Sequence, residues 1–188
     1  MTGVQPVTRG SAVKATLAFL EQEGGAGLVR RVLARCGAEE RRRLRKLSTT
    51  DEAPYALILA LWRAADGVLG RSAPDWMERA GAFSIESSGQ QLYGGILRKR
   101  SPREFLTQSV SLFRLYYHPG DMEVVEQAER AAVLRLVGFG AEDPLFCRRQ
   151  TGGLRRALEI AGGNAPVVRH VRCALQGDAF CEWDLRWG

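Results

Sequence analysis

The sequence predicts an α+β fold, with an N-terminal helical half followed by a β-β-α-β-β unit built on an antiparallel sheet. Three observations predict it. Up to His118-Pro119-Gly120, apolar residues recur at helical spacing in stretches separated by Gly, Pro or Ser/Thr clusters. Beyond that point the period drops to two: Cys181, Trp183, Leu185 and Trp187 alternate with Glu182, Asp184 and Arg186. Finally, one helix-like stretch, 144–161, separates two strand pairs, and short loops join each pair.

Taken in order, residues 1–8 read as a flexible lead. The mainly helical half covers 9–118 and the sheet half 119–188, together one domain. Val13, Leu17 and Leu20 mark the first helix, which Gly24, Gly25 and Gly27 break before Leu28, Val29, Val32 and Leu33 begin a second. A short basic helix follows, and Ser48-Thr49-Thr50-Asp51 offers an N-cap for a helix from about 53 to 69. That helix is apolar on nearly every side through Tyr55, Leu57, Ile58, Leu59, Leu61 and Trp62, so it belongs at the centre of the helical half. Ala73-Pro74-Asp75 opens a helix bearing Trp76, Met77, Ala80 and Phe83. The stretch 87–95, with Tyr93, fits neither period. Ser101-Pro102-Arg103-Glu104 combines a cap, proline at the first helical position and an acid in the first turn, and starts a helix through Phe105, Leu106, Val110, Phe113 and Tyr117. Strands are expected around Met122–Ala128, Ala132–Val137, Val167–Ala174 and Ala179–Trp187, the last two turning at Gln176-Gly177-Asp178.

Composition is that of a globular chain: 188 residues, 45% hydrophobic and 26% charged, with a net charge of +6. No apolar run reaches the roughly 20 residues of a membrane span, and the first residues lack a signal-peptide core, so the expected location is the cytoplasm. The positive excess lies in residues 1–50 and is densest at Arg41, Arg42, Arg43, Arg45 and Lys46. No nucleic-acid motif or interleaved aromatic accompanies this run, so it reads as a solvated helix end and sequence-specific nucleic-acid binding is not expected.

Chemistry-bearing residues concentrate in the tail. Cys147, His170, Cys173 and Cys181 are ligand types that a zinc ion takes in sets of four. A hairpin turning at Gly177 places Cys173 across from Cys181, within reach of one ion, and Cys147 at the start of the preceding helix supplies a third ligand. Residues three apart on a strand face opposite ways, so His170 requires a bulge or an edge position. Spacing alone leaves two other readings open: cysteines buried as small hydrophobes, and a Cys173–Cys181 disulfide. Cys36 shares a helix with Val32 and Leu33 and reads as structural.

Cys147, Gly152-Gly153, His170-Val-Arg-Cys173, Gly177-Asp178 and Cys181-Glu182-Trp183 resemble the 4-vinyl-reductase domain family, grouped by fold with H-NOX domains and the TRAPP vesicle-tethering subunits. In phenol-sensing activators of that family a cysteine, an acidic residue and two cysteines eight apart bind zinc. By position Cys147, His170, Cys173 and Cys181 match this set, with histidine in place of the acid. The Arg9-Gly10-Ser11 opening, the segment from Ser101 to Tyr117 and the tail are also similar to a bacterial family expanded in myxobacteria, a likeness that is specific for fold and silent on activity.

The resemblance implies a non-enzymatic sensor-like domain with a structural zinc. Such a domain binds a small apolar ligand and signals through a protein partner or as a homodimer. A pocket would draw on Trp62, Trp76, Phe83, Tyr93, Phe113, Tyr116 and Tyr117, although each taken singly reads first as a core residue. The alternative is a ligand-free interaction scaffold resembling the TRAPP subunits. A haem sensor by analogy with H-NOX is disfavoured: His118 is the only histidine outside the cysteine group, and the Tyr-x-Ser-x-Arg propionate motif is absent. No catalytic triad, phosphate-binding glycine loop or cofactor motif points to an enzyme.

Overall fold

The computed structural model describes residues 5–89, 101–109 and 112–188. The architecture is α+β, as the change of period predicts. Strand β1 (Val7–Arg9) leads into helices α1 (Gly10–Ala34) and α2 (Ala38–Lys46), followed by strand β2 (Glu52–Pro54). Helices α3 (Tyr55–Leu69) and α4 (Trp76–Ser84) run into a π-helical turn at Ile85–Gly89. Helices α5 (Pro102–Ser109) and α6 (Leu112–Tyr116) and strand β3 (Tyr117–His118) complete the first half. Strands β4 (Asp121–Gln127) and β5 (Ala131–Val137), helix α7 (Pro144–Ile160), and strands β6 (Val167–Arg172) and β7 (Cys181–Arg186) then give the expected β-β-α-β-β order. A 3₁₀ turn, Ala174–Gln176, lies between the last two strands.

The four-stranded sheet has the order β4-β5-β7-β6 and is antiparallel throughout. Its inner face is the alternate set Ala132, Leu134 and Leu136 with Cys181, Trp183 and Leu185, all buried. Helix α7 starts where the sequence encodes it: the Asp143 carboxylate accepts the Leu145 N–H at 3.0 Å, and Pro144 sits in the first turn. It packs on α4 through facing glycines. A Cβ built on Gly81 would lie 2.1 Å from the Arg149 carbonyl oxygen, and one on Gly152 would lie 1.9 Å from that of Glu78. The two backbones therefore meet with no side chain between them.

Several details depart from the sequence reading. The end of the lead is not free: Val7–Arg9 pair antiparallel with both Glu52–Pro54 and Tyr117–His118, in a small sheet of order β2-β1-β3. That pairing also moves the start of α3 to Tyr55, because Glu52–Pro54 are held extended. Asp51, expected in the cap, instead accepts the Ser48 N–H at 2.7 Å within the loop. The break at the glycines is a kink inside α1, where Gly24 and Gly25 leave helical geometry and Gly25 takes φ 65°. Tyr117 belongs to β3 rather than to the helix expected before it, and Val110 lies outside the described residues.

Helix α3 is central, as its all-round apolar character predicts, with Tyr55, Leu57, Ile58, Leu59, Leu61, Trp62, Ala64 and Ala65 buried. No helix among the described residues is long and apolar enough to cross a membrane.

Candidate functional site

The two halves meet at an aromatic cluster. Tyr55 sits at its centre, with ring centroids 5.0 Å from Phe139, 6.1 Å from Tyr117 and 6.1 Å from Phe146. Phe113 joins from α6, 5.4 Å from Tyr117 and 5.5 Å from Phe139. The Tyr55 hydroxyl donates to the Ala141 carbonyl at 2.8 Å. Burial pushes the hydroxyls of Tyr55 and Tyr117 above the ordinary tyrosine range; Arg149 opposes that rise at Tyr117.

The aromatics expected around a pocket have distinct places. Trp62 and Trp76 are fully buried, and their indole N–H groups donate to Thr16 Oγ1 at 3.2 Å and to Asp66 Oδ1 at 2.8 Å. Phe83 is half-buried beside Phe19, with centroids 5.8 Å apart. Phe113 and Tyr117 belong to the aromatic cluster. Tyr116 and Tyr117 also line a cavity of about 60 Å³ between α1, α4 and α7, together with Ser84, Ile85, Arg149 and Gly153. Tyr93 lies outside the described residues.

A second grouping lies beside the first turn of α7. Ligand atoms of Cys147, His170, Cys173 and Cys181 all fall within 4.8 Å of one another. Cys147 Sγ and Cys181 Sγ are 3.8 Å apart, far beyond a disulfide bond and close to the edge of a tetrahedron with metal–sulfur bonds of about 2.3 Å. All four cysteines are free thiols. His170 reaches the group because the β6–β7 register shifts between His170 and Arg172, on the edge strand of the sheet. Its ring stacks on Trp183 at 4.7 Å, and its Nε2 is buried without a hydrogen-bond partner. Cys173 is fixed by its own N–H, which donates to Asp178 Oδ2 at 2.7 Å, while Gly177 turns the chain at φ 97°.

Within the group, the contact between Cys147 and Cys181 drives the two thiols apart. Cys181 is held below the ordinary thiol range, first by Cys147 and further by His170, and Cys147 is pushed up by that same contact and by burial. Glu182 takes no part: Arg135 at 2.8 Å and Arg172 at 3.5 Å hold it on the other face. Cys36 stands elsewhere, its thiol over the Val32 carbonyl at 3.8 Å and raised by burial.

The sequence reading overlooked Arg149. It is 5% exposed and shares the stripe of α7 formed by Leu145, Gly152 and Gly153. The available signal was a charged residue at the buried helical period, four after Leu145 and four before Gly153.

Comparison with known proteins bears on both regions. The model of the Haem-NO-binding family matches residues 9–122. No curated protein sequence matches the chain. Among solved structures, an Fe(II) unliganded H-NOX protein from K. algicida superposes with a TM-score of 0.73 at 13% identity, covering 96% of both chains. An H-NOX protein from S. oneidensis in the Fe(II)NO ligation state gives 0.74 at 12% identity, covering 96% of this chain and 99% of that one. A third, from a study of haem distortion in the H-NOX family, gives 0.73 at 12% identity, covering 95% and 94%.

These findings correct the resemblance drawn from the tail. The 4-vinyl-reductase assignment and the TRAPP-like scaffold give way to the H-NOX relationship, because the matched family spans the helical half as well as the fold. The tail motif misled because its cysteine spacing is a local feature, whereas the match rests on residues 9–122. The expectation of a structural zinc as cofactor is corrected by the same findings: the group named by the family's description and by its solved neighbours is haem. With more than half of the chain under the family model and the fold shared over nearly its whole length, the chain belongs to the Haem-NO-binding family.

Proposed function

We propose that the chain is a sensor domain without catalysis of its own, which takes a small ligand and passes the signal to a protein partner or a second copy. The family match over residues 9–122 carries this reading. A diatomic gas, the ligand named for the S. oneidensis structure, is a small molecule of the kind such a domain would take.

The haem that the family implies does not fit this chain's residues through a histidine. There are two histidines in the sequence. His118 is exposed on β3, paired with Val7, and His170 lies in the cysteine group against Trp183.

The second part of the reading concerns Cys147, His170, Cys173 and Cys181. We propose that these four hold a thiophilic metal ion and couple the start of α7 to the β6–β7 hairpin. Their convergence within 4.8 Å and the orphaned Nε2 of His170 support it. The test is elemental analysis of protein purified without a metal-binding tag, with hydrogen exchange before and after chelation. About one ion per chain is expected, with exchange in α7 and the hairpin rising on its removal and metal lost in Cys181→Ser. Metal-free protein with thiols that react freely, and exchange indifferent to chelator, would sink the metal reading.

A further inference from the structure

Arg149 is a buried cation without an anion. It is 5% exposed. Its Nη1 donates to the Ala80 carbonyl at 3.3 Å, and its guanidinium carbon lies 5.4 Å from the centroid of the Trp62 ring. The guanidinium also hydrogen-bonds with the Tyr117 hydroxyl, and none of these contacts neutralises its charge. None of the ion pairs among the described residues includes it, and the stretches outside them contain no Asp or Glu. A guanidinium has five N–H donors in a rigid fork, matched to a carboxylate or a planar oxyanion, and an unpaired buried ion is costly to desolvate.

The same residue lines the cavity of about 60 Å³, with Ser84, Tyr116, Tyr117 and Gln150 as the polar walls and Ala12, Gly81, Ile85 and Gly153 as the apolar ones. One water needs roughly 10–15 Å³ of such space, so the cavity has room for a few heavy atoms.

We infer that this cavity binds a small planar monoanion, of the size of nitrite or formate, through the Arg149 guanidinium. The inference builds on the sensor reading by naming a ligand class. Its test reads binding alone, so it can fail while the metal reading stands, and the reverse. Arg149 also opposes the rise of the Tyr117 hydroxyl, which fits a field at this wall that favours negative charge.

The experiment uses the full chain and three sodium salts at one ionic strength: nitrite, formate and gluconate, the last too large for the cavity. Thermal melting and Trp fluorescence are followed against concentration, Trp62 being the reporter beside Arg149. Nitrite or formate should raise the melting temperature saturably over gluconate. Arg149→Met should abolish the response, and Arg149→Lys, which keeps the charge and loses the fork, should weaken apparent affinity by about tenfold or more. Gly153→Ala tests the site with Arg149 in place, since its methyl group would meet Gly81 and Ile85, both cavity walls, at 3.6 Å; it should also weaken the response. Identical melting of the wild type in all three salts overturns the inference. An undiminished nitrite or formate response in Arg149→Met overturns it as well, and if that variant does not fold, an undiminished response in both Arg149→Lys and Gly153→Ala does so.

Discussion

Gly152 and Gly153 are neighbours on α7, yet adding one methyl group to each should move stability in opposite directions. In a helix interior, alanine is favoured over glycine by about 0.5–1 kcal/mol, and both substitutions collect that gain. At Gly153 the new Cβ meets nothing closer than 3.6 Å, an ordinary contact, so the gain survives. At Gly152 the Cβ falls 1.9 Å from the Glu78 carbonyl oxygen and 2.6 Å from the Glu78 Cα. Carbon–oxygen contacts sit at about 3.3–3.6 Å, so α4 and α7 would have to part by roughly 1.4 Å or more. Both obstacles are backbone, and no rotamer change relieves them. A gap of 0.5–1 Å already forfeits a quarter to a half of the dispersion energy across an interface. Over-packing costs about 1–3 kcal/mol, and here the top of that range applies because two helices must move. For a chain of this size, each kcal/mol shifts the melting midpoint by about 2–4 °C. Net of the alanine gain, Gly152→Ala should therefore melt about 4–10 °C below the wild type, and Gly153→Ala about 1–4 °C above it. Circular dichroism at 222 nm follows the melts, with urea titrations to verify that the m-value is unchanged. A Gly152→Ala midpoint within about 1 °C of the wild type, or equal shifts of the same sign in both variants, would refute backbone-to-backbone packing of α4 on α7.

Other consequences can be tested in the same preparations. Tyr55→Phe leaves the buried Ala141 carbonyl without its 2.8 Å donor and should cost about 1–2 kcal/mol in urea unfolding, with the fold intact by circular dichroism. Tyr55 and Tyr117 are both raised by burial, so the folded state keeps them neutral while the unfolded chain ionises near pH 10. Their contribution is thus complete below pH 10 and is lost as pH rises beyond it. Absorbance at 295 nm should show these two tyrosines titrating only with alkaline unfolding, and early ionisation of all four tyrosines would contradict it. Asp143→Ala removes both the α7 cap and the ion pair with Arg63 at 2.7 Å, and should cost about 1–2 kcal/mol in urea unfolding, chiefly through the cap. An unchanged unfolding midpoint would mean that the helix start is held by Pro144 and packing alone.

The legible parts of the fold were those whose pattern repeats within a short window. Strand β7 alternates over Cys181, Trp183 and Leu185, and α3 is apolar around its circumference; each signal is complete within its own segment. The small sheet was illegible because strands of two or three residues hold no period, and their partners are far away in sequence. At the cysteine group, Cys173 and Cys181 followed from hairpin geometry. The place of His170 depends on a bulge, and nothing in Arg169-His170-Val171 encodes one. The aromatic cluster is drawn from α3, α6, β3, the loop holding Phe139 and α7, and only tertiary packing brings those residues together. Arg149 was passed over because arginine at a helical position reads as surface. It is the close approach of Gly81 to its backbone, with the cavity beside it, that turns its side chain inward.

Strand β1 also sets an order in time. Its three residues emerge from the ribosome before either of their partners, so one flank must wait for Glu52–Pro54 and the other for Tyr117–His118, about 110 residues later. Until then the Val7–Arg9 backbone has no permanent partner on that side, and the helices it anchors are closed on one flank only. Strand β1 is therefore among the last elements to be locked, and synthesis stalled before residue 117 should leave Val7–Arg9 open to protease even where α1 and α3 have already met.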